Sequence, residues 1–506
     1  MKKIYNLDKL KNISVSLKKK SKKIVLCHGV FDLLHIGHIK HLKKAKEYGN
    51  KLFVTITSDK FVNKGPGKPV FNERLRAEAL ASLEDVDYVA INDSPTAINA
   101  IKIIKPDFYC KGRDYVNPKD DITGEIKNEL KQLKKNKGKI IFTHELTFSS
   151  SRTINTQTDF YSEIHKKQIN KIKKKYNFVK IKNIIDKFND LKILVIGETI
   201  IDQYNFCEAI GKSGKEPILV LKELNSENFL GGVLAIARNM SKFSDSVNVL
   251  SALGEKKDFL KEIKSNLSKK IKCKFFYKKN SPTIIKRRYV DDVSKSKLFG
   301  VYNLNDNILS KKEELEFNNY LKNELKKYDL VVVSDYGHGL ISKESANIIC
   351  KHSKFLALNA QVNAFNIGYH TMKNYIKFNT LIINEKEIRH EMRDRISYLN
   401  DLIVKLSKEM KIENLIVTRG SDGSILYNNK KRKFIYGEAY ASKVIDKIGA
   451  GDTMLSVISL CLKSKIDIDL SLIISSLAAA QSVENLANKD SISKLSMLKT
   501  LENILK

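Results

Sequence analysis

Two short segments carry residue types whose spacing suits phosphate chemistry. Residues 26–38 read L-C-H-G-V-F-D-L-L-H-I-G-H, and His35-Ile36-Gly37-His38 falls where an apolar strand gives way to a helix. Free amides at a helix N-terminus bind anions, and Gly37 lets a phosphate approach the backbone closely. The His35 and His38 imidazoles can donate hydrogen bonds to a triphosphate and stabilise charge on a phosphorus under attack, with no covalent nucleophile. A lone histidine pair more often means a metal site or packing, but the strand–loop–helix setting favours phosphate here.

The second segment, residues 446–452, reads D-K-I-G-A-G-D and leads into an apolar helix. Gly449, Ala450 and Gly451 would present several amides in one place, an anion hole for a transferring phosphoryl group. Asp452 then stands where a carboxylate can take a proton from an attacking hydroxyl. The plainer reading is a Gly-rich turn with an Asp cap, and other residues argue against it. Asn384 and Glu387 follow an apolar strand at 381–383 and share a helix face, which suits them to organise Mg²⁺ and its waters. Thr418, Gly420 and Gly423 lie in a strand and Gly-rich turn suited to a nucleotide. Asp202 and the pair Gly231-Gly232 are placed to face a sugar.

These residues need strands that end beneath them. Lys23–Cys27, Leu52–Thr57, Val86–Ile91, Phe108–Cys110 and Ile140–Phe142 read as strands, with helices over Gly37–Tyr48 and Arg74–Ser82. Strands alternating with helices imply a parallel sheet covered on both faces. A second α/β region opens with K-I-L-V-I-G at 192–197, and the apolar runs at 329–333, 355–358 and 414–417 read as buried parallel strands. Between the two regions, residues 159–190 are rich in Lys, Ile and Asn and read as a solvated linker helix. No repeat of solenoid period is present.

Composition sets the bounds. The 506 residues exceed one ordinary core, and 42% hydrophobic residues exclude a wholly disordered chain. Lys and Arg total 91 against 57 Asp and Glu, a formal charge of +34. The lysines are dispersed and no nucleic-acid module accompanies them. They therefore read as solvated faces whose field attracts anionic substrates, and no nucleic-acid partner is expected. The six cysteines form no C-x-x-C pair, so neither a zinc site nor a disulfide framework is indicated and a reducing cytoplasm is expected. No signal peptide or membrane-spanning run is seen, and the expectation is a cytoplasmic protein without a membrane partner.

The first segment resembles the signature G-x-F-D-x-x-H-x-G-H of the cytidylyltransferase-like nucleotidyltransferases. Lys111-Gly112-Arg113-Asp114-Tyr115 looks like that family's K-G-x-D-Y loop. Gly67 through Arg76 resembles the segment whose helix arginine reaches the nucleotide, and Ser149-Ser150-Ser151 resembles its phosphate-holding helix start. The resemblance implies a Rossmann-like domain with Gly29, Phe31, Gly37, Arg76, Lys111, Gly112, Asp114 and Ser149 to Ser151 around the nucleotide. Its reaction would be attack by a phosphate oxygen on the α-phosphate of ATP or CTP, with pyrophosphate released.

Residues 190–500 resemble the ribokinase-like (PfkB) carbohydrate kinases, which implies Asp452 as catalytic base and Gly449–Gly451 as anion hole, with ATP and Mg²⁺. Ser334-Asp335-Tyr336-Gly337-His338-Gly339 is similar to the S-D-Y-G-K-G segment of heptose 7-phosphate kinases, which implies Asp335 near the substrate. The two halves together resemble bifunctional heptose 7-phosphate kinase/heptose 1-phosphate adenylyltransferases, with the domain order reversed. The kinase pattern is also altered at two places. Ala235 stands for the Asn of G-G-x-x-N, and Leu358-Asn359-Ala360-Gln361 stands for D-P-K-G.

The expectation is therefore a Rossmann-like α/β nucleotidyltransferase domain (1–155), a basic linker (156–190) and a ribokinase-like α/β kinase domain (191–506). It would take a sugar phosphate and a nucleoside triphosphate and dimerise through the kinase domain. The competing expectation is a transferase whose kinase-like half serves as sensor or scaffold.

Overall fold

The computed structural model describes residues 3–62, 68–112, 125–143, 162–362, 366–441 and 443–505. It divides into two compact units, residues 1–173 with 495–506, and residues 174–494.

The first unit holds β1 (Ile24–Gly29), β2 (Lys51–Thr57), β3 (Tyr88–Asn92), β4 (Phe108–Gly112) and β5 (Lys139–Thr143). All pair in parallel in the order β3-β2-β1-β4-β5. Their apolar runs are buried because helices cover both faces, with Val25, Cys27 and Val54 in one core and Ile24, Leu26 and Phe53 in the other. Cys27 lies opposite Cys110 across β1 and β4. The chain turns from one side of β1 to the other between β3 and β4, so the crevice at the carboxyl ends of β1 and β4 is where ligands bind in such sheets. Gly29 and Gly112 stand at those two ends.

The second unit has a nine-stranded sheet in the order β10-β9-β6-β13-β14-β15-β16-β17-β18. Its members are β6 (Lys192–Gly197), β9 (Ser246–Gly254), β10 (Ile271–Lys278), β13 (Leu330–Asp335), β14 (Leu356–Ala360), β15 (Thr380–Asn384), β16 (Asn414–Thr418), β17 (Ser424–Asn428) and β18 (Lys433–Gly437). Pairing is parallel as far as β16 and antiparallel beyond it. A separate four-stranded sheet, absent from the sequence expectations, runs β12 (Lys297–Asn303), β11 (Ile284–Asp291), β7 (Thr199–Lys212) and β8 (Leu219–Gly232).

The stretch read as a solvated linker helix is instead two helices, Glu163–Lys175 and Phe178–Asp186. Ile169, Ile172, Ile181, Ile185 and Phe188 are buried. Their helical spacing gives an apolar stripe that a purely solvated segment would leave in water.

Candidate active sites

At the mouth of the first crevice, His35 is the N-cap of the Ile36–Lys46 helix. Its Nδ1 accepts the Gly37 amide at 3.1 Å. The Gly37 amide, expected to face phosphate, is thus spent on the cap, and the neutral His35 ring carries its proton on Nε2. The rings of His35 and His38 stack at 3.9 Å between centroids, and Phe31 meets His38 edge-on at 5.4 Å. The two histidines of the motif form one half-buried polar pair beside β1.

The loop that places them is strained. Phe31 and Leu33 have φ of 50° and 45°, each costing about 1–2 kcal/mol for a residue with a Cβ. Two buried side chains hold it. The Asp32 carboxylate accepts the Val70 and Phe71 amides at 2.8 and 3.1 Å. Arg76, 1% exposed, donates to the carbonyls of Val30, Phe71 and Thr57 and to Asp59 at 2.6–2.9 Å. The guanidinium expected to reach the nucleotide is occupied in this structure by four acceptors of the loop.

Lys111 pairs with buried Glu129 at 2.7 Å, and Glu129 also accepts the Tyr109 hydroxyl and the Ala97 amide. Gly112 ends β4, and a Cβ there would meet no atom of the described residues within 4 Å. Asp114 and Ser149, Ser150 and Ser151 lie outside the described residues. His28, which sequence reasoning passed over, sits at the end of β1 within reach of the hydroxyls of Thr55 (2.9 Å) and Thr57 (3.3 Å). Burial, with Lys111 nearby, pushes it down to about 3.

In the second unit the expected residues gather at the carboxyl ends of the strands. Asp452 lies in the first turn of the Ala450–Lys463 helix. Gly449 caps that helix with φ 87°, and a Cβ there would lie 2.1 Å from the Asn488 Oδ1, so no other residue fits. The Tyr336 hydroxyl donates to the Asp452 carboxylate at 3.0 Å. Burial, with Asp202 adding to it against Tyr336 and Lys286, raises Asp452 to about 7. A carboxylate near neutrality at the foot of an amide-rich turn is suited to general-base work.

Facing this turn, the four-stranded sheet carries Asp202, 4% exposed, bound to Arg288 at 2.5 Å. A Cβ on Gly231 would lie 2.2 Å from an Asp202 carboxylate oxygen, so this glycine makes room for the carboxylate. Gly232 ends β8 beside it. Lys286, 8% exposed, pairs in register with Asp202 and lies over the rings of Tyr302 and Tyr336 at 5.6 and 5.5 Å. It has no ion-pair partner among the described residues, and burial lowers its pKa, partly offset by Asp202. Sequence reasoning assigned this position no role.

The expectation for Asp335 is a place near the substrate. The residue is buried and its oxygens accept the Tyr375 hydroxyl (2.8 Å) and the Gly337 amide (3.0 Å). Its visible work is to hold the turn that aims Tyr336 at Asp452. Glu198 supports the same turn by accepting the amides of Tyr336 and His338, both at 3.0 Å.

Asn384 and Glu387 form a reciprocal capping box at the start of the Glu385–Met392 helix. This occupies the Asn384 Oδ1 and one Glu387 oxygen. Burial, with Asp452 adding to it, raises Glu387 to about 7. The Val362 amide acts to lower it, and a carboxylate held so unfavourably by burial suits a place near a hydrated divalent cation. No cluster of three His, Cys, Asp or Glu suited to direct ligation occurs among the described residues. Thr418 ends β16, and Gly420 and Gly423 shape the turn after it, with open space around Gly420. Ala235 is buried in the Val233–Met240 helix, and the Asn359 amide is spent on the Ile382 carbonyl at 2.7 Å.

Comparison with known proteins agrees with this geometry. The family model described as pfkB family carbohydrate kinase matches residues 190–494, well over half of the chain, and the chain belongs to that family. The model described as Cytidylyltransferase-like matches residues 26–214. The bifunctional protein HldE of a Nitratiruptor species is 43% identical over 130 residues, spanning 25% of this chain and 28% of that protein. HldE of Geobacter metallireducens is 46% identical over 115 residues, 22% of this chain and 24% of that protein. The chain thus covers about a quarter of these relatives' lengths. Escherichia coli phosphofructokinase-2 in complex with potassium shares the kinase fold, with a TM-score of 0.52 and 13% identity over 62% of this chain and 100% of that one. No helix among the described residues is long and apolar enough to cross a membrane.

Proposed function

We propose that this chain makes an activated sugar in two steps. The second unit phosphorylates a sugar phosphate of the heptose 7-phosphate kind at its anomeric hydroxyl, using ATP. The first unit then joins the sugar 1-phosphate to a nucleotide from ATP or CTP and releases pyrophosphate. The observation that carries this reading is the pairing of Asp452, at about 7, with the Gly449–Gly451 turn. It lies in a chain whose other half bears stacked histidines at a helix start.

In the kinase step Asp452 takes the proton of the anomeric hydroxyl as its oxygen attacks the γ-phosphorus, and the amides of the turn meet the charge on the transferred group. Asn384 and Glu387 would hold hydrated Mg²⁺, which supplies charge neutralisation to the triphosphate when bound. In the transfer step the His35 and His38 N–H groups stabilise the attacked α-phosphate while the sugar phosphate oxygen displaces pyrophosphate. The exposed apolar residues of the four-stranded sheet, among them Leu224, Phe299 and Val301, support a homodimer through the second unit. The cytoplasm, where both triphosphates are abundant, is the fitting compartment.

The test is mass spectrometry of products formed from mixed sugar phosphates with ATP or CTP. A nucleotide sugar supports the reading, and neither sugar-dependent ADP nor pyrophosphate sinks it. The buried Ala235 and the committed Asn359 favour a second reading, in which only the transferase turns over. Under that reading, product formation from a sugar lacking the 1-phosphate stays absent in wild type, while sugar 1-phosphates are still converted.

A further inference from the structure

A cavity of the second unit that neither proposed step uses lies where β14, β15 and β16 begin, at the end of the large sheet opposite the candidate site. It measures about 620 Å³. Leu356, Phe378 and Ile412 give it a buried apolar lining. Six of its fourteen lining residues are lysines, Lys351, Lys354, Lys377, Lys408, Lys411 and Lys430, against one carboxylate, Glu413. The whole chain has 91 Lys and Arg in 506 residues, so composition alone does not account for this density.

Part of the charge is answered within the protein. Lys430 pairs with Glu413 at 3.0 Å. Lys351 and Lys408 stand in the last turns of the Lys343–His352 and Leu399–Glu409 helices, where they complement the terminal carbonyls. Lys354, Lys377 and Lys411 lie outside any helix and have no ion-pair partner among the described residues. The positive field reaches past the rim. Burial, with Lys326, Lys351 and Lys322 adding to it, holds the neighbouring His352 below the usual imidazole range. Asn379 spends its side-chain oxygen on the Leu356 amide at 2.9 Å, which leaves its NH₂ group to donate to a ligand.

Lysines gathered round a concavity repel one another until an anion enters. The volume is that of a small-molecule site, which spans about 300–1,000 Å³. Inorganic phosphate would leave most of it empty, and a nucleic acid or a membrane calls for a broad basic face rather than a cavity. We propose that this cavity binds a small organic di- or triphosphate, its phosphates among Lys354, Lys377 and Lys411 and its organic body against Leu356, Phe378 and Ile412. The three strands run from the cavity to Ala360, Asn384 and Thr418 at their far ends, a span of about 17 Å for strands of this length. A ligand held here is therefore not the phosphoryl donor poised beside Asp452.

The test is lysine acetylation of the full chain, read by mass spectrometry, with ADP, ATP, pyrophosphate and inorganic phosphate as probes. It needs no activity. ADP and ATP should protect Lys354, Lys377 and Lys411 at submillimolar concentration, pyrophosphate less well and phosphate not at all. Lys311 and Lys312, which do not line the cavity, should be untouched by any probe. Equal protection of those two marks mere charge screening and overturns the site, as does protection of none. Pyrophosphate protecting as well as ADP overturns the organic part of the ligand.

Lys377→Gln combined with Lys411→Gln should weaken the protection of Lys354 by ADP about tenfold. Both side chains are exposed, so the substitutions are compatible with folding, and the paired Arg variant should restore protection. Unchanged protection in the Gln variant overturns the proposal. The same variant should keep the KM for ATP in sugar-dependent turnover. A rise in KM that matches the lost protection would put these lysines in the donor site and sink a separate one. If wild type phosphorylates no sugar while ADP still protects the three lysines, the kinase reading fails and the second site stands.

Discussion

In the first unit burial falls on imidazoles. His28 is driven down to about 3 and His41 to about 4, with threonine hydroxyls bonded to their rings. In the second it lowers one imidazole too, His338, to about 3, but it falls chiefly on carboxyls. Asp452, Glu387 and Glu198 are all raised to about 7. The cause is the same, since a low-dielectric surrounding disfavours whichever form is charged. Its consequence differs: the first unit keeps neutral imidazoles, while the second holds carboxyls whose buried charge calls for a proton, a cation or a lysine. On the proposed reading, two regions that handle the same phosphate chemistry are prepared for it by burial of opposite kinds of group.

That contrast can be broken most severely at Asp452. Asp452→Asn should cut sugar-dependent ADP formation by about 10³-fold and leave pyrophosphate release from a sugar 1-phosphate intact. Equal loss in both assays would show that the two sites do not act separately. Arg76→Met should cost the first unit about 3–5 kcal/mol, the usual result of removing one partner from a buried charged network, read by urea unfolding. A stable variant with a raised KM for the nucleotide would return Arg76 to the ligand role first expected of it.

His35→Ala should slow pyrophosphate release by about 10²-fold. The lost cap should cost only about 1 kcal/mol, so rate and melting temperature separate.

The pH dependences sharpen the comparison further. Asp452 must be ionised to act as base, so the kinase kcat/KM should climb through about pH 7 and level off above it. For His28 and His41 the folded values lie below the unfolded value of about 6.5. Between pH 6.5 and 4 the unfolded chain therefore binds protons that the native one refuses. Their contribution to stability is complete above pH 6.5 and is lost as pH falls towards 4 and 3. Melting at pH 7.5 and pH 5 in wild type and His41→Gln measures it, and an equal drop in both excludes His41 as a source. The smallest effect belongs to Ala235→Asn, which should alter which sugars are phosphorylated by less than about tenfold, since it adds one hydrogen-bonding group in the first turn of the helix that follows Gly232.

By itself the sequence determined both chemical segments and most of the parallel strands. His35-Ile36-Gly37-His38 and Gly449–Asp452 are local patterns, each a strand or loop running into a helix start, and local backbone chemistry suffices to place them. Short apolar runs such as 192–197 can only be satisfied as buried strands.

What the sequence alone left open depends on pairing at long range. Asp446 meets Lys297 across 149 positions and Tyr204 across 242, and no spacing rule joins them. The four-stranded sheet escaped notice because its polar, half-exposed strands lack the continuous apolar runs that marked the others. Arg76, Asp335 and Asn384 have the residue types of ligand contacts, yet only the folded chain shows how much of their hydrogen-bonding capacity is already spent within the protein. A side chain's type limits the bonds it can make, and tertiary packing decides how many remain for a ligand.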